Sequence, residues 1–165
     1  MPPTPDDILV TTEWLARHLD DPDLRILDGS WHLPTESRDA RAEFEARHIP
    51  NAQFFDIDAI YDTSSPLPHM VPGADQFAAQ VSALGIGAEN SVVVYDDSGV
   101  WSAARVRWLL RAMGLTRVAV LDGGLRKWLA EGRATTTDTA EPHPAKLTAR
   151  MDMNLVRDAA QVLQA

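Results

Sequence analysis

The 165-residue chain contains no cysteine. That excludes disulfides, thiolate metal sites and a thiol nucleophile from these residues. Lysine is nearly as scarce: Lys127 and Lys146 stand alone, so positive charge is carried almost wholly by arginine, whose planar fork suits small anions. Positive charge is also the minority sign, with 15 Lys and Arg against 24 Asp and Glu and a formal net charge of −9. With no basic stripe to offset it, this charge repels phosphate backbones and argues against a nucleic-acid partner. Long apolar runs are missing, none approaching the roughly 20 residues that cross a bilayer, so no membrane span is expected. The opening "MPPTPDD" has neither a basic nor an apolar leader region, and a cytoplasmic location is the expectation. The five histidines, His18, His32, His48, His69 and His143, include no pair at i, i+4. A zinc site therefore has no support, and neither metal nor cofactor is expected.

What is present reads as one globular domain. Hydrophobic residues make up 45% of the chain and charged residues 24%, enough to bury a core and keep a wet surface. Helical and strand-like runs alternate. "TTEWLARHLDD" sets Trp14, Leu15 and Leu19 at helical spacing behind a Thr cap, and "LRILDG" reads as a buried strand ending at Asp28. "RDARAEFEARHIPNA" brings Ala40, Phe44 and His48 to one helix face, and "AQFF" is a short strand. "GADQFAAQVSALG" aligns Phe77, Val81 and Leu84 and stops at Gly85. "SVVVY" is apolar throughout, as strands covered on both faces are, and the helix after it carries Val106, Leu109, Leu110 and Met113 to a Gly114 cap. "RVAVLDGG" and "LRKWLAEG" repeat the pattern. The expectation is an α/β domain over residues 1–135, a parallel sheet of about five strands with helices on both faces. Sites in such sheets lie at the carboxyl ends of strands, where Asp28, Asp56, Asp96 and Asp122 all stand.

Residues 136–150, rich in Thr, Pro and Ala, have no periodicity and read as a linker or an extended surface strap. In residues 151–165, Leu155, Ala159, Val162 and Leu163 fit one helical face, and the layout echoes the opening "ILVTTEWLARHLDD". The expectation is the first helix of a second, truncated domain.

The acidic positions admit more than one reading. "FFDIDAI" offers Asp56 and Asp58 as the D-x-D of an Asp-nucleophile phosphatase, with Asp96 and Asp97 as its metal-holding pair. Against this, Ile60 stands where Thr or Val is required and both lysines come too late in the chain. The structural alternative is that Asp96, Asp97 or Ser98 caps the helix running to Met113, where free amides and the helix dipole favour a carboxylate.

A third reading rests on the order of several blocks. "LDGSWHLP", "RDARAEFEARHIPNAQFFDID", "SSPLPHMVP", "VVVYDDSGVWSAARVRWLLRAMG" and "VAVLDGGLRKWLAEG" together resemble the N-terminal half of the two-domain rhodanese and 3-mercaptopyruvate sulfurtransferase family. The resemblance implies a rhodanese-like fold. In that family an active loop runs Cys, two residues, Gly, one residue, Arg or Thr, then Ser or Ala, and the cysteine carries sulfur as a persulfide. Here the loop is Asp96, Asp97, Ser98, Gly99, Val100, Trp101 and Ser102, with aspartate at the cysteine position and Trp101 at the Arg or Thr position. A carboxylate cannot carry sulfane sulfur, so the loop reads as a degenerate one whose own carboxylate fills the anion cradle, leaving Asp97 as an ordinary loop or cap residue.

The resemblance further implies that the nucleophilic cysteine lies in a C-terminal rhodanese domain absent from this chain. That domain, and through it a small anionic sulfur donor, would be the partners. Asp58 and His69 match the positions proposed to assist proton movement there. Their bland readings are a cap on the "DAIYD" turn for Asp58 and a surface or interface histidine for His69. Arg38, Arg41 and Arg47 would steer anions or simply pair with Glu43 and Glu45. Trp31 and Trp101 are expected to be exposed where the absent domain would sit. The alternative from another functional class is a stand-alone, inactive rhodanese-like module that binds a protein or an anion.

Overall fold

The computed structural model describes residues 3–4, 7–99 and 101–164. Five strands, β1 (Leu9–Val10), β2 (Leu24–Asp28), β3 (Ala52–Phe54), β4 (Ser91–Tyr95) and β5 (Val118–Leu121), form one sheet in the order β1-β5-β4-β2-β3. Every pairing is parallel, with Ile26 opposite Val93 and Val93 opposite Ala119 in the central register. β4 lies between two neighbours and under two helical layers, which is why all five of its residues are buried and its centre, Val92 to Val94, is apolar without alternation.

The helices are α1 (Thr12–His18), α2 (Ala40–Ala46), α3 (Ala74–Ala83), α4 (Trp101–Ala112), α5 (Gly124–Ala130) and α6 (Ala159–Leu163). Successive side chains of a strand point to opposite faces. Val92 and Val94 therefore join Phe77, Val81, Val106 and Leu109 in one core under α3 and α4, while Val93 and Tyr95 join Leu15, Phe44, Leu125 and Trp128 under α1, α2 and α5. The expected parallel sheet with helices on both faces is what the chain forms. Each fully buried Val, Leu or Phe contributes about 1.5 to 3 kcal/mol of transfer free energy.

Local chemistry sets the helix ends. Thr11 Oγ1 accepts the Trp14 N–H and Asp39 Oδ1 accepts the Ala42 N–H, capping α1 and α2. α4 closes on Gly114 at φ 103°, with Leu115 N–H donating to the Leu110 carbonyl, a left-handed termination that a Cβ would strain. Two expected helices are shorter than their apolar spacing implies. α2 stops at Ala46 because the next residues are drawn into a bridge between His48 and Thr136, although the His48 ring still stacks on Phe44 at 4.0 Å. α6 begins only at Ala159, where Asp158 and Gln161 form a reciprocal cap, so Leu155 lies outside it in a preceding turn. Residues 136–150 are an extended strap laid on the domain: Gln53 donates to the Ala140 carbonyl, Leu147 N–H donates to Ser82 Oγ, and Leu147 enters the α3/α4 core. Among the described residues, no helix is long and apolar enough to cross a membrane.

Candidate functional site

The carboxyl ends of β2, β3 and β4 gather two contrasting groups of acidic residues. The first is the loop from β4 into α4. Asp96 is 2% exposed, and its carboxylate accepts hydrogen bonds from Ala103 N–H at 2.8 Å, Ser98 N–H at 3.2 Å and Ser102 Oγ at 3.3 Å. These are two amides and a hydroxyl of a helix entrance, and the side chain that reaches into them is the loop's own. Asp96 also supplies its carbonyl to Leu125 N–H at the start of α5. That approach explains Gly124: a Cβ there would lie 2.4 Å from the Asp96 carbonyl oxygen. Val100, assigned to this loop by its motif, lies outside the described residues.

Asp97 is not the ordinary loop residue expected. It pairs with Arg38 at 2.7 Å and Arg126 at 3.4 Å, and its N–H donates to Ser30 Oγ. Arg38 also holds Glu43 at 2.7 Å, which draws the Glu43 carboxyl below its ordinary range. The same Glu43 meets the buried His32 Nε2 at 3.0 Å, whereas His32 Nδ1 has no hydrogen-bond partner among the described residues. Beside this network, the Asp28 carboxyl is pushed up to about 6 by burial, against the hydrogen bonds from Ser30 and Tyr95 that favour its charge. Asp28, Ser30, Arg38, Glu43, Arg47 and Asp97 line a recess of about 410 Å³.

The second group lies in the connection from β3 to α3. Asp56, not Asp58, caps the turn there: its Oδ1 accepts Asp58 N–H and its carbonyl accepts Ala59 and Ile60 N–H, while its other oxygen pairs with Arg41 at 2.8 Å. The Asp58 carboxylate is thereby left free to turn outward, and its Oδ1 meets His69 Nε2 at 2.7 Å. Trp31 Nε1–H donates to the same oxygen at 3.1 Å. His69 adopts φ 55°, unusual for a residue with a side chain, and its carbonyl is held by the guanidinium of Arg105, which α4 carries half-buried beneath it. The structure thus brings Asp58 and His69 into contact across 11 residues. Their side chains are 67% and 26% exposed, in contrast to Asp96.

Asp58 borders a polar recess with Arg38, Arg41 and Asp56, and beyond Trp31 the surface carries exposed apolar side chains. Trp101 is 78% exposed, as expected, and Leu33, Leu67 and Met70 are exposed with it. Trp31 departs from expectation by being half-buried against the pair. Trp31, Leu33, Glu36, Ser98 and Trp101 line a cleft of about 290 Å³. Among the described residues, no group of three or more His, Cys, Asp or Glu side chains is placed to hold a metal ion. Asp56, required as nucleophile by the phosphatase reading, is instead occupied by its turn and by Arg41.

The family profile described as a rhodanese-like domain matches residues 11–131. The chain belongs to the rhodanese-like domain family. This rhodanese-like chain is similar to the 3-mercaptopyruvate sulfurtransferase of Homo sapiens, at 46% identity over 155 residues, 90% of this chain and 52% of that protein. It is 51% identical over 124 residues to the mitochondrial thiosulfate/3-mercaptopyruvate sulfurtransferase 1 of Arabidopsis thaliana, covering 75% of this chain and 33% of that one. Among solved structures, a 3-mercaptopyruvate sulfotransferase of Escherichia coli superposes with a TM-score of 0.91 at 35% identity, covering 96% of this chain and 61% of that chain. The chain spans about half the length of the mammalian relatives it matches.

Sequence reasoning alone does not mark Trp31, Arg105 or Gly124 as site residues. For Gly124 a local signal exists, the paired glycines of "VLDGG" after a strand. For Trp31 and Arg105 the contacts join distant parts of the chain and leave no local pattern.

Proposed function

We propose that this rhodanese-like domain is the N-terminal half of a sulfurtransferase that moves sulfane sulfur from 3-mercaptopyruvate, or thiosulfate, to cyanide or a thiol. The nucleophilic cysteine belongs to a C-terminal rhodanese domain outside the chain, and that domain is the partner for the apolar face around Trp101. The observation that carries the reading is the Asp58–His69 contact at 2.7 Å on this face, together with an aspartate where the loop chemistry needs a thiolate.

The chemistry follows from the groups. A cysteine thiolate attacks the sulfur of 3-mercaptopyruvate, the carbon–sulfur bond breaks, and its electron pair leaves on the three-carbon fragment as pyruvate enolate. The enzyme holds the transferred sulfur as a persulfide. Attack by cyanide on the outer sulfur then releases thiocyanate and restores the thiolate. The thiol proton of the donor must be removed and the enolate must gain one, and an imidazole exchanges protons near neutral pH. Asp58 orients His69 through Nε2, leaving Nδ1 to face the reacting groups.

Two measurements test this. The purified 165-residue chain should form no thiocyanate from 3-mercaptopyruvate or thiosulfate with cyanide, and turnover by it would overturn the placement of the nucleophile. In the longer protein that carries the cysteine domain, Asp58→Asn should slow pyruvate release from 3-mercaptopyruvate, and an unchanged rate would remove the pair from the mechanism.

A further inference from the structure

Asp58 Oδ1 accepts two contacts at once. His69 Nε2 lies 2.7 Å from it and Trp31 Nε1 lies 3.1 Å away, while the Trp31 and His69 rings meet edge to face at 5.2 Å and 87°. Among the described residues these are the two partners of the Asp58 carboxylate, because the amides of its own turn are taken by Asp56. An exposed carboxylate with one partner turns readily about its last bonds; a second donor from a different element removes that freedom.

The chemistry of the two donors differs. An indole N–H only donates, so against a carboxylate it serves to hold the accepting oxygen in place. His69 is amphoteric and adapts to whatever Oδ1 does. With Oδ1 held against Nε2, the ring proton of neutral His69 resides on Nε2, and Nδ1 carries the open lone pair. The groups that face the imidazole are Asp58, Trp31 and Tyr61, whose ring lies edge-on at 6.4 Å, while Arg105 grips the His69 carbonyl from below.

We infer that Trp31 is a positioning residue of the Asp58–His69 pair: its indole N–H holds Asp58 Oδ1 in place against His69 Nε2 and so favours the Nε2–H form of His69, presenting Nδ1 for proton exchange. The contact is a property of this chain; its consequence for rate rests on the sulfurtransferase reading above.

Trp31→Phe keeps an aromatic ring against His69, although a smaller one, and deletes the donor. The ¹⁵N chemical shifts of the His69 ring, read in this chain at a pH where the ring is neutral, report which nitrogen holds the proton. The wild type should show the Nε2–H pattern, and Trp31→Phe should raise the Nδ1–H population severalfold. A variant spectrum identical to wild type would overturn the proposal. A second reading does not depend on the tryptophan variant folding: the Trp31 indole N–H resonance should move in Asp58→Asn, an exposed and conservative change, and a fixed resonance would equally overturn it.

In the longer protein, Trp31→Phe should lower kcat for 3-mercaptopyruvate about three- to tenfold, the scale of one ordinary solvent-accessible hydrogen bond, and displace its pH profile while KM holds. A loss confined to KM would make Trp31 a substrate contact and overturn the positioning role. The two readings fail separately. A tautomer change in Trp31→Phe with normal rates in Asp58→Asn and His69→Ala would support Trp31 as the positioner and sink the sulfurtransferase role of the pair. An unaltered tautomer beside slow Asp58→Asn and His69→Ala would do the reverse.

Discussion

The loops that leave β3 and β4 end at the same edge of the sheet, and each presents an aspartate, yet they use it in opposite ways. Asp96 is 2% exposed and its oxygens are committed to Ala103, Ser98 and Ser102. Asp58 has a side chain 67% exposed, bound to an imidazole and an indole that are each only partly exposed. A carboxylate surrounded by its own chain's amides is part of the fold. A carboxylate that holds a histidine at an open face retains capacity for a proton and for a partner. In this domain the Asp96 carboxylate is closed into its own loop, and under the proposed function it is the neighbouring loop that would offer the proton chemistry.

The largest expected effect lies on the open side. His69→Ala in the longer protein should lower 3-mercaptopyruvate turnover about a hundredfold, the usual worth of a positioned acid–base group, as measured by pyruvate release. An undiminished rate at several pH values would erase the distinction between the two loops.

On the closed side the effect should appear in stability. Asp96→Ala strands the Ala103 and Ser98 N–H groups inside the loop and should cost about 2 to 3 kcal/mol in urea unfolding of this chain. A cost below about 0.5 kcal/mol would show that the carboxylate does not hold the loop.

Asp28, buried beneath both loops, sharpens the comparison through pH. Its pKa is raised by burial from 3.8 to about 6, so between these values the folded chain holds a proton that the unfolded chain has lost. Its contribution to stability therefore declines as pH rises through that window. Asp28→Asn keeps the shape without the charge, and its stability relative to wild type should improve by about 2 kcal/mol from pH 4 to pH 7 in parallel melts. A pH-independent difference would contradict the assignment. The smallest effect belongs to Asp97, whose pairs with Arg38 and Arg126 are partly solvated: Asp97→Ala should cost at most about 1 kcal/mol, less in high salt, by the same unfolding assay.

Much of the frame is legible in the amino-acid sequence. Period and punctuation mark β4 as buried on both faces and end α3 and α4 at Gly85 and Gly114, because helix terminations are written in adjacent residues. The Asp58–His69 pairing is legible only through family resemblance, since nothing local joins residues 58 and 69. Which aspartate caps the "DAIYD" turn is open in the sequence, and a two-residue offset decides it for Asp56. Trp31 reaches Asp58 across 27 residues and Arg105 reaches His69 across 36, and such contacts depend on how the strands are ordered. His48 shows competition that no periodicity reveals: a bridge to Thr136, 88 positions along the chain, shortens α2.

The two loops are compared most directly by one assay, pyruvate release from 3-mercaptopyruvate by the longer protein carrying either Asp58→Asn or Asp96→Asn. Asp58→Asn should lose most of the wild-type rate, and Asp96→Asn should stay within about twofold of it, since an amide oxygen can still accept from the loop. A slow Asp96→Asn beside a normal Asp58→Asn would contradict the account.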